Sequence, residues 1–220
     1  MSLVKLIAQA DERGLAASGL ACLDRCLPPL AEETDVLRPL WAGVAAGAAE
    51  WPDRLAEARA ALDAVMAAEP GPEPESAASE AGGGSGAGVT LALVRTMLGS
   101  APPRWEAEPL RVWADTCSVV ALEIHQKLDA VGESGSAAAA EWLVRCREDP
   151  AAVADAVDVT EGGDGVGPLV AGELRRQIRV LEILTDPVGD AGAMRRAMDL
   201  STEGQRVLRA VVSRRARARN

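Results

Sequence analysis

The segment PLRVWADTCSVVALEIHQKLDAV, residues 109–131, has the most regular apolar periodicity in the sequence. Its large apolar residues and one cysteine recur at intervals of three and four: Leu110, Trp113, Cys117, Val120, Ile124, Leu128 and Val131. This spacing places apolar side chains on one face of an α-helix, which turns once every 3.6 residues. No segment of comparable length alternates as a strand does. We therefore predict an all-α protein, an irregular bundle of about nine to eleven helices.

The amino-acid composition also favours helices over strands. The chain has no Phe and no Tyr, and its five Trp are the only large aromatic residues. Alanine has the highest helix propensity, whereas strands favour aromatic and β-branched residues. All but two of the 23 basic residues are Arg, which is typical of a high-GC bacterium. With one His and no Tyr, the chain lacks many common catalytic arrangements, so we lean against an enzyme.

Capping and breaking residues predict where several helices begin and end. We expect a helix over residues 3–13 that ends at Gly14, and a second over residues 15–27. Thr90 and Ser201 are predicted to cap two later helices, because hydroxyl oxygens accept hydrogen bonds from first-turn N–H groups. These four expectations depend only on local sequence.

Residues 69–88, EPGPEPESAASEAGGGSGAG, differ in composition from the rest of the chain. They are rich in Pro and Glu and then in Gly and Ser, and they include no large apolar side chain, which is typical of a flexible linker or long loop. The chain is thereby divided into an N-terminal helical segment, residues 1–68, and a C-terminal helical bundle, residues 89–220. We expect the two to dock as one domain, because four short helices alone supply only a marginal core.

Two features of the sequence resemble cofactor or metal sites. Cys22 and Cys26 lie one helical turn apart and could bind a soft metal if His125 or another cysteine joined them. Free cysteines among leucines are more simply small core residues, and His125 is expected on the helix surface. The Gly-rich run in 69–88 lacks the preceding strand that a dinucleotide-binding turn requires. We therefore predict no cofactor, no metal and no catalytic residue.

The charge is unevenly distributed along this acidic chain. Residues 1–170 contain 12 basic and 27 acidic residues, a net −15, whereas residues 171–220 contain 11 basic and 6 acidic residues, a net +5. An acidic surface repels nucleic acid and anionic membranes. Only the basic C-terminal segment could contact phosphates, through Arg214, Arg215, Arg217 and Arg219. These arginines are more simply explained as a solubilised helix end that complements the helix dipole.

The amino terminus and the apolar runs predict a cytoplasmic protein. The first residues, MSLVKLIAQADERG, do not resemble a signal peptide, because polar residues interrupt a short apolar run. No apolar run approaches the roughly 20 residues that span a bilayer, so we expect no membrane association. The four cysteines are then expected to be reduced.

Three functional hypotheses follow from these observations. The first is a non-enzymatic helical interaction or regulatory protein that binds another protein or itself. The second is a nucleic-acid-associated regulator that uses the C-terminal Arg cluster. The third is an all-α small-ligand binder or enzyme with a pocket lined by Trp105, Trp113 and Trp142.

Overall fold

The computed structural model describes residues 1–27, 34–68, 86–129, 137–149, 167–185 and 192–219. Within these ranges the chain forms nine α-helices and no strand, which confirms the all-α prediction. The helices are α1 (Leu3–Gln9), α2 (Glu12–Cys26), α3 (Arg38–Ala46), α4 (Trp51–Ala68), α5 (Gly86–Gly99), α6 (Ala107–Asp129), α7 (Ala137–Glu148), α8 (Pro168–Thr185) and α9 (Ala193–Arg219). A short 3-10 helix (Thr34–Leu37) precedes α3.

Helix α2 is the centre of the bundle and is packed against α6, α8 and α9. Every residue from Gly14 to Cys26 is buried. Many of these residues are small, so neighbouring helices can approach α2 closely from several sides. Gly19 is one such position, because a Cβ there would lie 2.9 Å from two ring carbons of Trp113 on α6. The small residues of α2 therefore permit its contact with the longest apolar face in the sequence.

One apolar core includes residues from all nine helices. Helices α1 and α2, from the first 68 residues, contact α6 and α8, so the described residues share this core across the predicted linker. Helix α5 begins at Gly86, three residues before the boundary predicted for the C-terminal bundle. Residues 69–85 lie outside the described ranges, so the linker stays a prediction. None of the described helices is both long and apolar enough to cross a membrane.

Three predicted helix boundaries were wrong. Helix α2 begins at Glu12, and Asp11 caps it by accepting a hydrogen bond of 2.7 Å from the N–H of Gly14, which therefore opens a helix instead of ending one. Thr90 lies inside α5 and Ser201 inside α9. A hydroxyl group inside a helix can serve a tertiary contact, and local sequence does not distinguish that role from capping.

Three tryptophans connect α4, α5 and α6. Trp51 donates a hydrogen bond of 2.7 Å from Nε1 to the carbonyl of Pro102, and Trp113 donates one of 2.8 Å to the carbonyl of Met97. The ring of Trp51 meets those of Trp105 and Trp113 edge to face, with centroids 5.3 and 5.7 Å apart. Trp51 and Trp113, which are almost completely buried, therefore have their N–H groups satisfied.

Candidate functional site

A buried ion pair joins α2 to α8. Arg25 donates from Nε to Oε2 of Glu173 at 2.7 Å and from Nη2 to Oε1 at 2.6 Å, and both side chains are 0% exposed. Burial alone would lower the pKa of Arg25 and raise that of Glu173. Their mutual attraction reverses both effects, so the pKa of Arg25 is raised and that of Glu173 is lowered. Both groups are therefore charged inside the core.

Further polar side chains extend this pair to α6 and α7. Gln177 donates from Nε2 to Oε1 of Glu173 at 3.0 Å, and Ser118 donates from Oγ to Oε1 of Gln177 at 2.6 Å. Arg147 donates from Nε to Ser118 Oγ at 3.2 Å and forms an ion pair with Asp115. Four helices are thus joined by one network of buried hydrogen bonds, which specifies how they pack.

His125 lies in the core, so its predicted surface position was wrong. Its side chain is 3% exposed, Nδ1 lies 2.7 Å from the carbonyl oxygen of Ala121, and Nε2 lies 3.7 Å from Oε2 of Glu173. A carbonyl only accepts, so Nδ1 carries the hydrogen. The histidine is buried because α8 packs against the flank of α6 that the sequence presents as polar.

Cys22 and Cys26 are core residues, as predicted. All four cysteines of the chain are buried and free. Burial raises the pKa of Cys22 to about 12 and the pKa values of Cys26 and Cys117 well above the usual 9.0. A thiol that resists ionisation is a poor nucleophile and a poor metal ligand. Among the described residues, no group of three or more His, Cys, Asp or Glu side chains forms a metal-binding cluster.

A second polar cluster attaches α9 to α2. Asp24 accepts hydrogen bonds from Ser201 Oγ at 2.8 Å, Gln205 Nε2 at 2.6 Å and Trp41 Nε1 at 3.4 Å. Burial raises the pKa of Asp24, although the hydrogen bonds from Ser201 and Trp41 oppose that effect. Asp24 therefore fixes the rotation of α9, because Ser201 and Gln205 must face it.

The four C-terminal arginines have different environments. Arg214 and Arg217 are exposed. Arg215 is partly buried and donates to the carbonyl of Leu128, in the last turn of α6. The side chain of Arg219 lies outside the described part of the structure. The predicted nucleic-acid contact through this cluster stays a prediction, and one of its members already has an intramolecular partner.

The outer surface of α9 is strongly basic. The helix contains eight arginines and two acidic residues. Five of its arginines are exposed and have no ion-pair partner among the described residues: Arg195, Arg206, Arg209, Arg214 and Arg217. We call these five the arginine face. The side of α9 that packs on the bundle is formed by Ala197, Ser201, Gly204, Gln205 and Leu208.

The arginine face includes three residues that sequence analysis missed. The cluster predicted at the end of the chain includes Arg214 and Arg217 but not Arg195, Arg206 or Arg209. A helical projection of residues 193–219 would have revealed them, because all three lie away from the apolar positions. That projection requires one continuous helix, whereas Ser201 predicts a helix boundary at that position.

The tryptophans of the third hypothesis have separate surroundings. Trp113 is 1% exposed and its N–H is hydrogen-bonded in the core. Trp105 is partly buried against Trp51. Trp142 is partly buried, and the guanidinium of Arg145 lies 5.5 Å from its ring centroid. No ring contact among the described residues joins Trp142 to the other two.

Comparison with known proteins identifies no relative. A scan against protein-family models, a search of curated proteins and a search of solved structures each find no match to this chain. A proposal of function therefore depends on the side chains described above, and above all on the arginine face.

Proposed function

We propose that this chain is a non-enzymatic helical interaction or regulatory protein, and that it binds another protein, or a second copy of itself, through the arginine face of α9. The observation that carries the proposal is the set of five exposed arginines without an ion-pair partner among the described residues. Arginine is enriched at protein interfaces because its planar guanidinium binds carboxylates with two parallel hydrogen bonds.

The opposite side of α9 is firmly attached, which supports a role in binding. Ser201 and Gln205 donate hydrogen bonds to Asp24, and Leu208 is completely buried. A surface that is ordered before a partner arrives loses less conformational entropy on binding. The arginine face thus has a fixed backbone beneath it, and only the side chains need to be ordered.

The surroundings of the reactive groups favour binding over catalysis. His125, Glu173 and Cys22 are buried and already have hydrogen-bond partners in the core. Groups in such positions stabilise the packing of helices rather than contact a substrate. The proposal includes a reducing, cytoplasmic location, which the four free cysteines support.

The second candidate function is binding of nucleic acid, and the same arginine face favours it. Exposed arginines neutralise phosphates, and Arg214 and Arg217 belong to both the predicted cluster and the face. The net −15 of residues 1–170 opposes it, because that charge repels a polyanion at long range. We rank this candidate second for that reason.

Partner capture with a matched control tests the proposed function. The tagged full-length chain is expressed in its native host, and the captured proteins are quantified for wild type and for two double variants. Arg206→Glu/Arg209→Glu changes the arginine face. Arg95→Glu/Arg104→Glu is the control, because it makes the same charge change at exposed sites elsewhere. We expect the first variant alone to lose a partner. Analytical ultracentrifugation of the same three proteins measures self-association. Equal recovery with all three proteins, together with a purely monomeric chain, would overturn the proposal.

A further inference from the structure

Three members of the arginine face form a straight row along α9. Arg195, Arg206 and Arg217 are separated by 11 residues each. Eleven residues complete slightly more than three helical turns, so successive members of the row are rotated by only about 20° and lie about 16.5 Å apart along the axis. The row is therefore about 33 Å long and lies opposite the buried side of the helix.

The row has a net positive charge, with apolar residues at its borders. Arg209 adds a further positive charge at a height between the second and third members of the row. Of the two acidic residues of α9, Glu203 is engaged with Arg176 of α8 at 3.7 Å, and the exposed Asp199 lies on the same face between Arg195 and Arg206, where it offsets one positive charge. Met198 and Val207 are each 37% exposed on opposite flanks of the helix.

We propose that the arginine row binds an acidic α-helix of a partner protein that lies along α9; this inference rests on the proposed function. A second helix has the same rise per residue, so carboxylates repeated at 11-residue intervals would meet all three arginines in register. Each arginine could then form a bidentate pair with a carboxylate. Met198 and Val207 would contribute apolar contact at the edges of the interface.

The charge of the rest of the molecule favours a protein helix over nucleic acid. Outside α9 the chain has a net charge of −16, because α9 contributes +6 to a total of −10. Duplex DNA has one negative charge per about 1.7 Å and is repelled by that body along its whole length. An acidic helix needs only a few carboxylates, all of which can face the row.

Fluorescence anisotropy with three labelled probes tests the inference on the full-length protein. The first probe is an alanine-rich helical peptide with glutamates at 11-residue intervals on one face. The second has the same composition with the glutamates distributed around the helix, and the third is a random-sequence DNA duplex. The proteins are wild type, Arg195→Ala/Arg206→Ala/Arg217→Ala, and the control Arg13→Ala/Arg95→Ala/Arg104→Ala. Both variants lower the net charge by three at exposed positions, and thermal melts establish that they are folded.

We expect the aligned peptide to bind wild type about tenfold more tightly than the distributed peptide. We expect the row variant to lose about tenfold in affinity and the control variant less than about threefold, since each aligned guanidinium–carboxylate contact contributes a modest amount at an exposed site. Equal losses in both variants would indicate diffuse attraction and overturn the inference. Tighter binding of the duplex than of either peptide at the same salt concentration would overturn it in favour of nucleic acid.

Failure of this inference and failure of the proposed function are distinguishable. If no acidic peptide binds while the capture experiment still recovers a partner that depends on Arg206 and Arg209, the acidic-helix inference is wrong and the proposed function stands. If capture and ultracentrifugation also show no association, both are wrong.

Discussion

Gly204 of α9 leaves the space that the side chain of Arg25 occupies on α2. A Cβ at Gly204 would lie 2.9 Å from Cγ of Arg25 and closer still to its Cδ. The aliphatic part of Arg25 is therefore packed against the backbone of α9 while its guanidinium binds Glu173 on α8. The absence of one methyl group allows three helices to meet around a buried charge.

Adding that methyl group should destabilise the protein. Alanine normally stabilises a helix relative to glycine by about 0.5–1 kcal/mol. We expect Gly204→Ala to have the opposite effect and to lower the free energy of unfolding by about 1–3 kcal/mol, because the packed core cannot accommodate the extra atom. Gly172→Ala on α8 is the control, since its Cβ would meet only the guanidinium end of Arg176 at 3.0 Å. Urea denaturation measures both, and a Gly204→Ala protein as stable as wild type would contradict the prediction.

Removing one member of the buried ion pair should cost more than removing both. Arg25→Met leaves the carboxylate of Glu173 buried without its counter-ion, and we expect a loss of about 3–5 kcal/mol in the free energy of unfolding. The double variant Arg25→Met/Glu173→Leu should recover most of that loss. A double-mutant cycle by chemical denaturation measures the coupling, and additive effects of the two substitutions would show that the pair is not coupled.

The buried thiols should make the protein less stable at alkaline pH. The pKa of Cys22 is about 12 in the folded protein and near 9.0 when the thiol is exposed, so the unfolded chain releases its proton first. The contribution of a buried, protonated thiol to the free energy of unfolding is fully present below about pH 9. Above that pH it declines by about 1.4 kcal/mol per pH unit for each such thiol. We expect Cys22→Ala to have a shallower decline of the urea midpoint between pH 9 and 10.5 in reducing buffer. Between pH 6 and 8 its difference from wild type should stay constant, and identical slopes above pH 9 would contradict the prediction.

Adjacent arginines near the end of α9 should differ in their effect on stability. Arg215→Ala removes the hydrogen bond to the carbonyl of Leu128, and we expect a loss of about 1 kcal/mol. Arg214→Ala changes an exposed side chain and should have almost no effect. Thermal melts of the two variants provide the comparison, and equal melting temperatures would show that the bond to Leu128 contributes nothing.

The first 68 residues should not fold alone. Helices α1 and α2 bury their apolar residues against α6 and α8, which belong to the second part of the chain. A fragment of residues 1–68 would expose that surface to water, so we expect little helical circular dichroism and no cooperative melt. A mixture with the fragment 89–220 should regain helical signal. A sharp melt of fragment 1–68 alone would contradict the shared core.

The local order of residues was enough to predict that the chain is helical, but not where every helix begins and ends. The apolar spacing predicted a helix at 109–131, close to α6. This feature depends on contacts between residues three or four positions apart, which the sequence contains directly.

Only the tertiary structure decided which polar residues are buried. Ser201 is equally suited to a cap and to a buried contact with Asp24, and His125 is on the surface or in the core according to what packs against α6. Arg25 and Glu173 are 148 residues apart, and no local pattern indicates that they meet. The free energy of a buried charge depends on the partner and on the water excluded around it, and both are established only when separate helices come together.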